Sequence, residues 1–501
     1  MNLTASTTRQ REVDAGFFVP KRRPRHHQAE ALRLIHGKSA FALLHAMRTG
    51  KTKILIDDFA RLVLDDLAED LLVIAPNGAL PPWVESLRDD LPDAIYQRAR
   101  VFYWSSGKAS QQPIAAARKA FMKPQDGVPR VLLVNIEAIS HVEAARELCR
   151  TFLQQRRSVA AVDESVCIKS PKSICGMFCV NVLAPRAKYR RIMSGLVAPR
   201  SPLDLYQQFK FLDAKILGID NYWIFKKRYA ILKKIYPFAN RGRGVEIVVG
   251  YRNVKELSRK IAPHSHRVSL EDVYDMPQSD YSFRDVELTM EQERIYQSIK
   301  KSATAKLTES SYVTASQVIV QLLRMHQVLC GHVIDENGRY HEVPERRTDA
   351  LLEVLRDYDG KAVIWCSYDV DLRKTSKAIA TEFGENSVAR FWGGNANTRE
   401  AEEVQFKTNP ECKFMVGTPD AGGKGRTWDV ADLVVYYSSR NNLDHRAQSE
   451  ERVKNVGKTR PISYVDLRVP GTVDDKIIEA IRKKIDMASI IDGSNWRSWI
   501  I

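Results

Sequence analysis

The feature that most constrains the fold is a recurring short apolar run. Before residue 196 there are SAFALLH (39–45), DLLVIAP (70–76), RVFYW (100–104), RVLLVNI (130–136), SVAAVDE (158–164) and YRRIMSG (189–195). After residue 360 come KAVIWCSY (361–368), SVARFWG (387–393), KFMVGTP (413–419), DLVVYYSS (432–439) and PISYVDL (461–467). Most are apolar on consecutive positions rather than on alternate ones, which marks strands buried on both faces. Strands of this kind, separated by segments of helical length, predict parallel sheets covered by helices, hence two doubly wound α/β units.

The middle of the chain has another character. SPLDLYQQFKFLDAKIL and NYWIFKKRYAILKKI are basic and aromatic with helical spacing, FANRGRGVEIVVGYR (238–252) reads as a loop with a short strand pair, and 286–307 reads as a charged helix. The expected organisation is a first α/β lobe over 1–213, a largely helical insertion and linker over 214–345, and a second α/β lobe over 346–501. Net charge is +16, and the segment 181–270 alone holds 19 Lys or Arg against 5 Asp or Glu, a net of +14. A basic block this concentrated predicts a polyanionic partner. Nucleic acid fits better than membrane, because no amphipathic anchor, lipidation signal or spanning apolar run accompanies the block. The N-terminus lacks the apolar stretch of a secretory signal, so a cytoplasmic location is expected. Seven dispersed cysteines predict neither a disulfide framework nor a metal site, and free thiols are expected.

Chemistry is concentrated at the ends of two runs. HAMRTGKTKILID (45–57) follows a strand, opens a helix and carries Gly50, Lys51 and Thr52 in phosphate-loop order. A helix start offers free backbone N–H groups to phosphate; Lys51 would reach the β- and γ-phosphates and the Thr52 hydroxyl would ligate Mg²⁺. AAVDES (160–165) ends a strand in adjacent carboxylates. Asp163 suits a Mg²⁺ ligand and Glu164 suits the base that polarises an attacking water. In QSEERVKNVGKT (448–459), Gln448, Arg452 and Asn455 would share one helical face.

In this order the pieces resemble superfamily 2 helicases, specifically the Swi/Snf-type double-stranded DNA translocases. The similarity runs from about Arg23 to Leu467 through RPRHHQ (23–28), MRTGKT, LLVIAPNGALPPWVESL (71–87), VLLVNIEAI (131–139), VDESVCIKSPKS (162–173), RRIMSGLVAPRSPLDLYQQFKFLD (190–213), VGTPDAGGKGRTWDVADLVVYYS (416–438) and the 448–459 segment. The compact length is similar to bacteriophage and prokaryotic members, which would put the protein in a bacterial cytoplasm. The resemblance implies two RecA-like lobes with ATP in the cleft between them. ATP contacts fall on Gln28 (reading adenine), Arg48, Thr49, Gly50, Lys51 and Thr52. Asp163 and Thr52 fall on Mg²⁺, and Lys51, Asp163, Glu164 and Arg452 on catalysis. From the second lobe the glycine-rich loop adds Gly422, Gly423 and Gly425. Asn135, Thr418, Lys226, Lys227, Arg228, Lys233 and Lys234 are implied DNA contacts, with Trp223 and Tyr229 as packing or stacking groups.

Four motifs depart from the family pattern. His45 stands for the leading glycine of the phosphate loop, with Arg48 at another usual glycine. Ser165 with Val166 closes the Asp-Glu box. Leu196-Val197 replaces Thr-Pro. Asn455 stands at the arginine-finger position, with Lys458 replacing the final Gln and Lys454 or Lys458 as the available cations. The expected activity is DNA-stimulated ATP hydrolysis coupled to movement on duplex or branched DNA. The alternative is an attenuated ATPase that serves as an ATP-modulated DNA-binding module. A DEAD-box RNA helicase is disfavoured by the basic block and by Asp-Glu-Ser.

Overall fold

In the computed structural model, the described residues are 19–104, 112–195, 201–235, 245–270, 272–274, 277–309, 315–334, 339–395, 397–419, 427–439, 443–455, 458–479 and 481. They form two compact units: one takes residues up to Tyr229 together with Asn253–Val273, the other Ala230–Arg252 and the chain from Tyr274 onward. The strands are β1 (Ala40–His45), β2 (Asp70–Ala75), β3 (Arg100–Tyr103), β4 (Arg130–Asn135), β5 (Ser158–Asp163), β6 (Tyr189–Met193), β7 (Ala230–Ile235), β8 (Val245–Tyr251) and β9 (Ser265–Val268). They continue with β10 (Asp280–Asp285), β11 (His332–Ile334), β12 (Tyr340–Glu342), β13 (Lys361–Trp365), β14 (Val388–Phe391), β15 (Phe414–Gly417), β16 (Ala431–Tyr436) and β17 (Ser463–Arg468).

The first unit carries a parallel sheet in the order β3-β4-β2-β5-β6-β1-β9. The second carries a parallel sheet in the order β10-β17-β16-β13-β15-β14. These are two RecA-like lobes. Every residue of β1, β2 and β4 is buried, as the unbroken apolar runs require, while the edge strand β3 alternates between half-buried and exposed. Among the described residues no helix is long and apolar enough to cross a membrane.

The middle segment is less helical than its spacing suggests. The helix Tyr222–Tyr229 stops where Ala230 begins β7, which pairs antiparallel with β8. The strand over 230–235 therefore corrects the expected continuous helix. β-Branched and aliphatic residues on both sides of the hairpin favour pairing, which a basic helical pattern concealed. Neither β9 nor β10 has a strong apolar run. β9 adds to the first sheet beside β1, and β10 adds to the second beside β17.

Charge fixes the register at the start of the central strands. Asp70 opens β2 directly opposite Arg130 of β4, and both side chains are fully buried. The Arg130 guanidinium donates to both Asp70 oxygens at 3.1 and 2.5 Å, and Arg156, just before β5, adds a third bond at 2.8 Å. Arg191 of β6 pairs with Asp58 at 2.9 Å, also buried. Removing one partner of such a group strands the other charge in a dry interior. Asp70→Ala, which leaves Arg130 fully buried without its carboxylate, is expected to lower unfolding free energy by about 3–5 kcal/mol. Denaturant titration is the check, and a loss below about 1 kcal/mol would show that the cluster does not hold the sheet.

Candidate nucleotide and nucleic-acid sites

β1 and β5 are separated only by β6. At about 4.8 Å per strand their C-terminal ends lie about 10 Å apart on one edge of the sheet. The phosphate loop leaves β1 at that edge and the carboxylate pair leaves β5.

Within the loop, Gly50 caps the helix Lys51–Leu64 in the left-handed region at φ +83°, and a Cβ there would lie 2.2 Å from Gln28 Nε2. Glycine is thus required twice, by backbone conformation and by the approach of Gln28. The loop's carbonyls are occupied from within the unit. The Lys51 ammonium donates to His45 O at 2.8 Å and Ala46 O at 3.2 Å, and Thr49 Oγ1 to Ala46 O at 2.8 Å. Thr49 O accepts from Gln28 Nε2 at 3.0 Å and lies 2.8 Å from His27 Nε2, while Gln28 Oε1 accepts the Arg25 N–H at 2.9 Å. Carbonyls held this way leave the first-turn N–H groups, which no helix can satisfy internally, as the loop's open function.

Two of the four non-glycine residues with positive φ among the described residues are site residues: Arg48 at +66° and Glu164 at +50°. Strain of this kind costs on the order of 1–3 kcal/mol per residue and collects at functional sites. Arg48 thus holds a left-handed conformation that glycine adopts without a steric cost. Beside Glu164, Asp163 is held in place: the Trp83 indole donates to its Oδ2 at 3.0 Å and the Glu164 N–H to its Oδ1 at 2.9 Å. Thr52 sits half-buried in the first helical turn. A helix start, an ammonium, a hydroxyl and an anchored carboxylate are the donor set that a triphosphate and Mg²⁺ need, and these residues fit both.

His45 does not intrude on the loop. Its backbone φ is not positive, so the position makes no demand for glycine. Its ring is fully buried and bonds His266 Nδ1 of β9 at 2.9 Å. Ser165 donates to Gln208 Oε1 at 2.6 Å, and Gln208 Nε2 to Asp204 O at 2.9 Å. Gln208 belongs to the helix Leu205–Leu212, whose Tyr206 packs its ring on Tyr222 and Phe225 at 5.4 and 5.0 Å. The Asp-Glu box is thereby in direct contact with the element that carries the basic helix. Trp83, Gln208 and His266 did not stand out in the sequence. Trp83 and Gln208 lie in segments that matched the family, so their rank there was the available signal, whereas His266 had none.

The implied nucleic-acid residues scatter. Asn135 ends β4, nearly buried, with Nδ2 on Glu137 at 3.0 Å. Lys227 and Arg228 are exposed on Tyr222–Tyr229, and Lys226 is half-buried over the Trp223 ring. Arg228 is already engaged by Glu256, at 3.0 and 2.7 Å, and that pairing with Tyr229 alongside holds the Glu256 carboxyl down at about 2. Lys233 and Lys234 lie on β7 opposite Ile247 and Glu246.

In the second unit Thr418 follows β15, its N–H bonded to Phe391 O at 3.1 Å, and lines a cavity with Ser367, Tyr436, Ser438 and Arg446. The helix Leu443–Glu451 ends before Arg452, which corrects the expected single face of Gln448, Arg452 and Asn455. Tertiary contacts explain the break. Arg452 O accepts the Trp428 N–H at 2.7 Å, and its nearly buried guanidinium lies 5.3 and 5.2 Å from the Trp365 and Trp428 rings, which stack on each other. Asn455 bonds Asp429, Lys454 pairs with Glu451 at 3.0 Å and Lys458 with Asp432 at 2.6 Å. Gly422, Gly423 and Gly425, and Leu196 with Val197, lie outside the described residues.

A strand–loop–helix with Gly-Lys-Thr and an Asp-Glu strand end on the same sheet edge, followed by a second unit built on a six-stranded parallel sheet, defines a helicase-like P-loop protein with two RecA-like lobes. Residues 23–333 match the SNF2-related domain, and the chain belongs to that family. It is 22% identical over 374 residues to a TATA-binding protein-associated factor mot1 of Aspergillus fumigatus (66% of this chain, 20% of that protein). It is 23% identical over 345 residues to a SWI/SNF-related matrix-associated actin-dependent regulator of chromatin subfamily A-like protein 1 of Drosophila melanogaster (68% and 42%). A shorter stretch, 97 residues or 19% of this chain and 12% of that protein, is 31% identical to the human lymphoid-specific helicase. The chain thus spans less than half the length of these relatives. Among solved structures, the Sulfolobus solfataricus SWI2/SNF2 ATPase core in complex with dsDNA aligns over 96% of both chains at 20% identity, with a TM-score of 0.40.

Burial, with His266, Lys51 and His27 alongside, pushes the His45 imidazole down to about 2, so it stays neutral in the fold. The unfolded chain takes up that proton near pH 6.5, so His45 contributes stability above that pH and loses it progressively as pH falls from there toward about 2. One such proton costs at most about 1.4 kcal/mol per pH unit. His45→Gln is expected to lose less stability than the wild type between pH 7 and pH 5 in urea titrations. Equal slopes would mean that His45 is protonated in the fold.

Proposed function

We propose that this chain is an ATP-driven motor on DNA, which hydrolyses ATP at the first unit and couples that hydrolysis to movement along, or remodelling of, duplex or branched DNA. The observation that carries the proposal is the pairing of the Trp83-anchored Asp163 and the strained Glu164 with Lys51 on one sheet edge. Lys51 would hold the β- and γ-phosphates, Thr52 and Asp163 would hold Mg²⁺, and Glu164 would polarise the attacking water. When bound, Mg·ATP supplies a γ-phosphoryl group whose transfer to water is downhill. Gln28, within reach of the loop, is assigned to adenine. Family membership and the basic block over 181–270 support DNA as the polyanion, and the setting assigned is a cytoplasm.

One observation favours the attenuated alternative. Asn455, Lys454 and Lys458 are each bonded to a neighbouring carboxylate, and Arg452 lies over two tryptophans. A bound lysine is also a poor substitute for the guanidinium fork of an arginine finger.

Steady-state phosphate release at low salt, with and without duplex DNA, separates the two. A working motor is stimulated by DNA, and Lys51→Ala and Glu164→Gln each lower its rate at least about a hundredfold, the usual share of a general base. Wild-type rates in both variants would remove the site assignment. An attenuated ATPase shows ATP-dependent DNA affinity with little turnover, and Asn455→Arg raises its rate. Competition with single-stranded RNA decides the polyanion, and affinity for the true partner should fall steeply with salt.

A further inference from the structure

The helix Tyr222–Tyr229 holds one face rigid and one face open. Phe225 and Tyr229 are fully buried, packed on each other at 4.6 Å, with Tyr206 on Phe225. The Asn221 side chain fixes the helix start by accepting the Trp223 and Ile224 N–H groups at 2.8 and 3.3 Å. The helix therefore cannot turn Trp223 inward without expelling Phe225. Trp223 is left 54% exposed, with Ile224 beside it at 61%. Two ammonium groups stand near the indole. Lys226, one turn along, stands 5.5 Å from the ring, and Lys172, from the segment after β5, stands 5.7 Å from it.

The indole meets the Tyr222 ring edge-on at 5.7 Å and otherwise leaves more than half of its surface to water, beside two cations from separate elements. We infer that Trp223, with Lys172 and Lys226, is a stacking platform for an unpaired DNA base, so that this protein prefers forks and junctions to blunt duplex. A duplex offers its phosphates to the lysines but keeps its base faces stacked inside. A frayed or unpaired nucleotide offers both a phosphate and a π face, the combination these residues match. Stacking on an aromatic side chain tolerates any base and is worth about fivefold to a hundredfold in affinity. The inference rests on the proposed action on DNA and narrows its substrate.

The test is anisotropy binding of the full chain to a fork with two unpaired arms and to a blunt duplex of equal length, with 2-aminopurine at the first unpaired position. The wild type is expected to bind the fork at least about fivefold more tightly and to quench the 2-aminopurine. Trp223→Ala should remove the fork advantage and the quenching while costing the duplex much less affinity than the fork, and Trp223→Phe should restore part of both. Because Trp223 is exposed, the variants should melt with the wild type. A fork advantage that survives Trp223→Ala, or equal losses on fork and duplex, would overturn the platform while leaving the action on DNA standing. Binding to neither substrate by the wild type would overturn both.

Discussion

The carboxylate of Asp70, clamped between Arg130 and Arg156, is the contact on which the first unit's geometry depends. Parallel strands buried on both faces carry little register information in their side chains, since valine beside leucine packs in either alignment. A slip by one residue would exchange the two faces of a strand. A charge that must meet its partner in a dry interior forbids the slip. The clamp is at the start of β2, β4 and β5, and the functional residues are at the strands' far ends. What it fixes is therefore the level at which Asp163 and Asn135 emerge.

The phosphate loop shows how a family pattern tolerates departures. Its requirements are a left-handed turn before the helix, carbonyls held back and N–H groups left forward. Gly50 meets the first, and Lys51, Gln28, His27 and Thr49 meet the second. His45 can replace a glycine because its side chain leaves the loop for β9. Arg48 cannot claim this, since it combines a left-handed φ with a Cβ. Its strain is a cost that the surrounding bonds sustain.

Much of this was legible in the sequence, for a physical reason. Interior parallel strands must be continuously apolar, so the strands of both sheets that carry such runs announced themselves, and the ends of two of those runs set where Lys51, Asp163 and Glu164 stand. Short-range patterns misled where long-range contacts decided. Ala230–Ile235 continues the basic, helix-spaced segment 221–235 yet pairs with β8. The face of Gln448, Arg452 and Asn455 dissolves because Trp428 and Trp365 claim the arginine. The His45–His266 bond spans 221 positions and has no local signature. β9 and β10, edge strands with polar residues, gave no apolar run to find.

The helix Leu205–Leu212 touches two centres at once. Gln208 receives the Ser165 hydroxyl, and Tyr206, two residues back, carries the rings of Tyr222 and Phe225. Two residues of an α-helix turn about 200°, so the two contacts leave opposite sides of the rod. A rod gripped on opposite sides behaves as a gear wheel. With side-chain tips about 6 Å from the axis, a roll of about 10° moves each by about 1 Å, in opposite directions. The Ser165 bond and the aromatic packing therefore share one support, and a roll of this helix would displace both together.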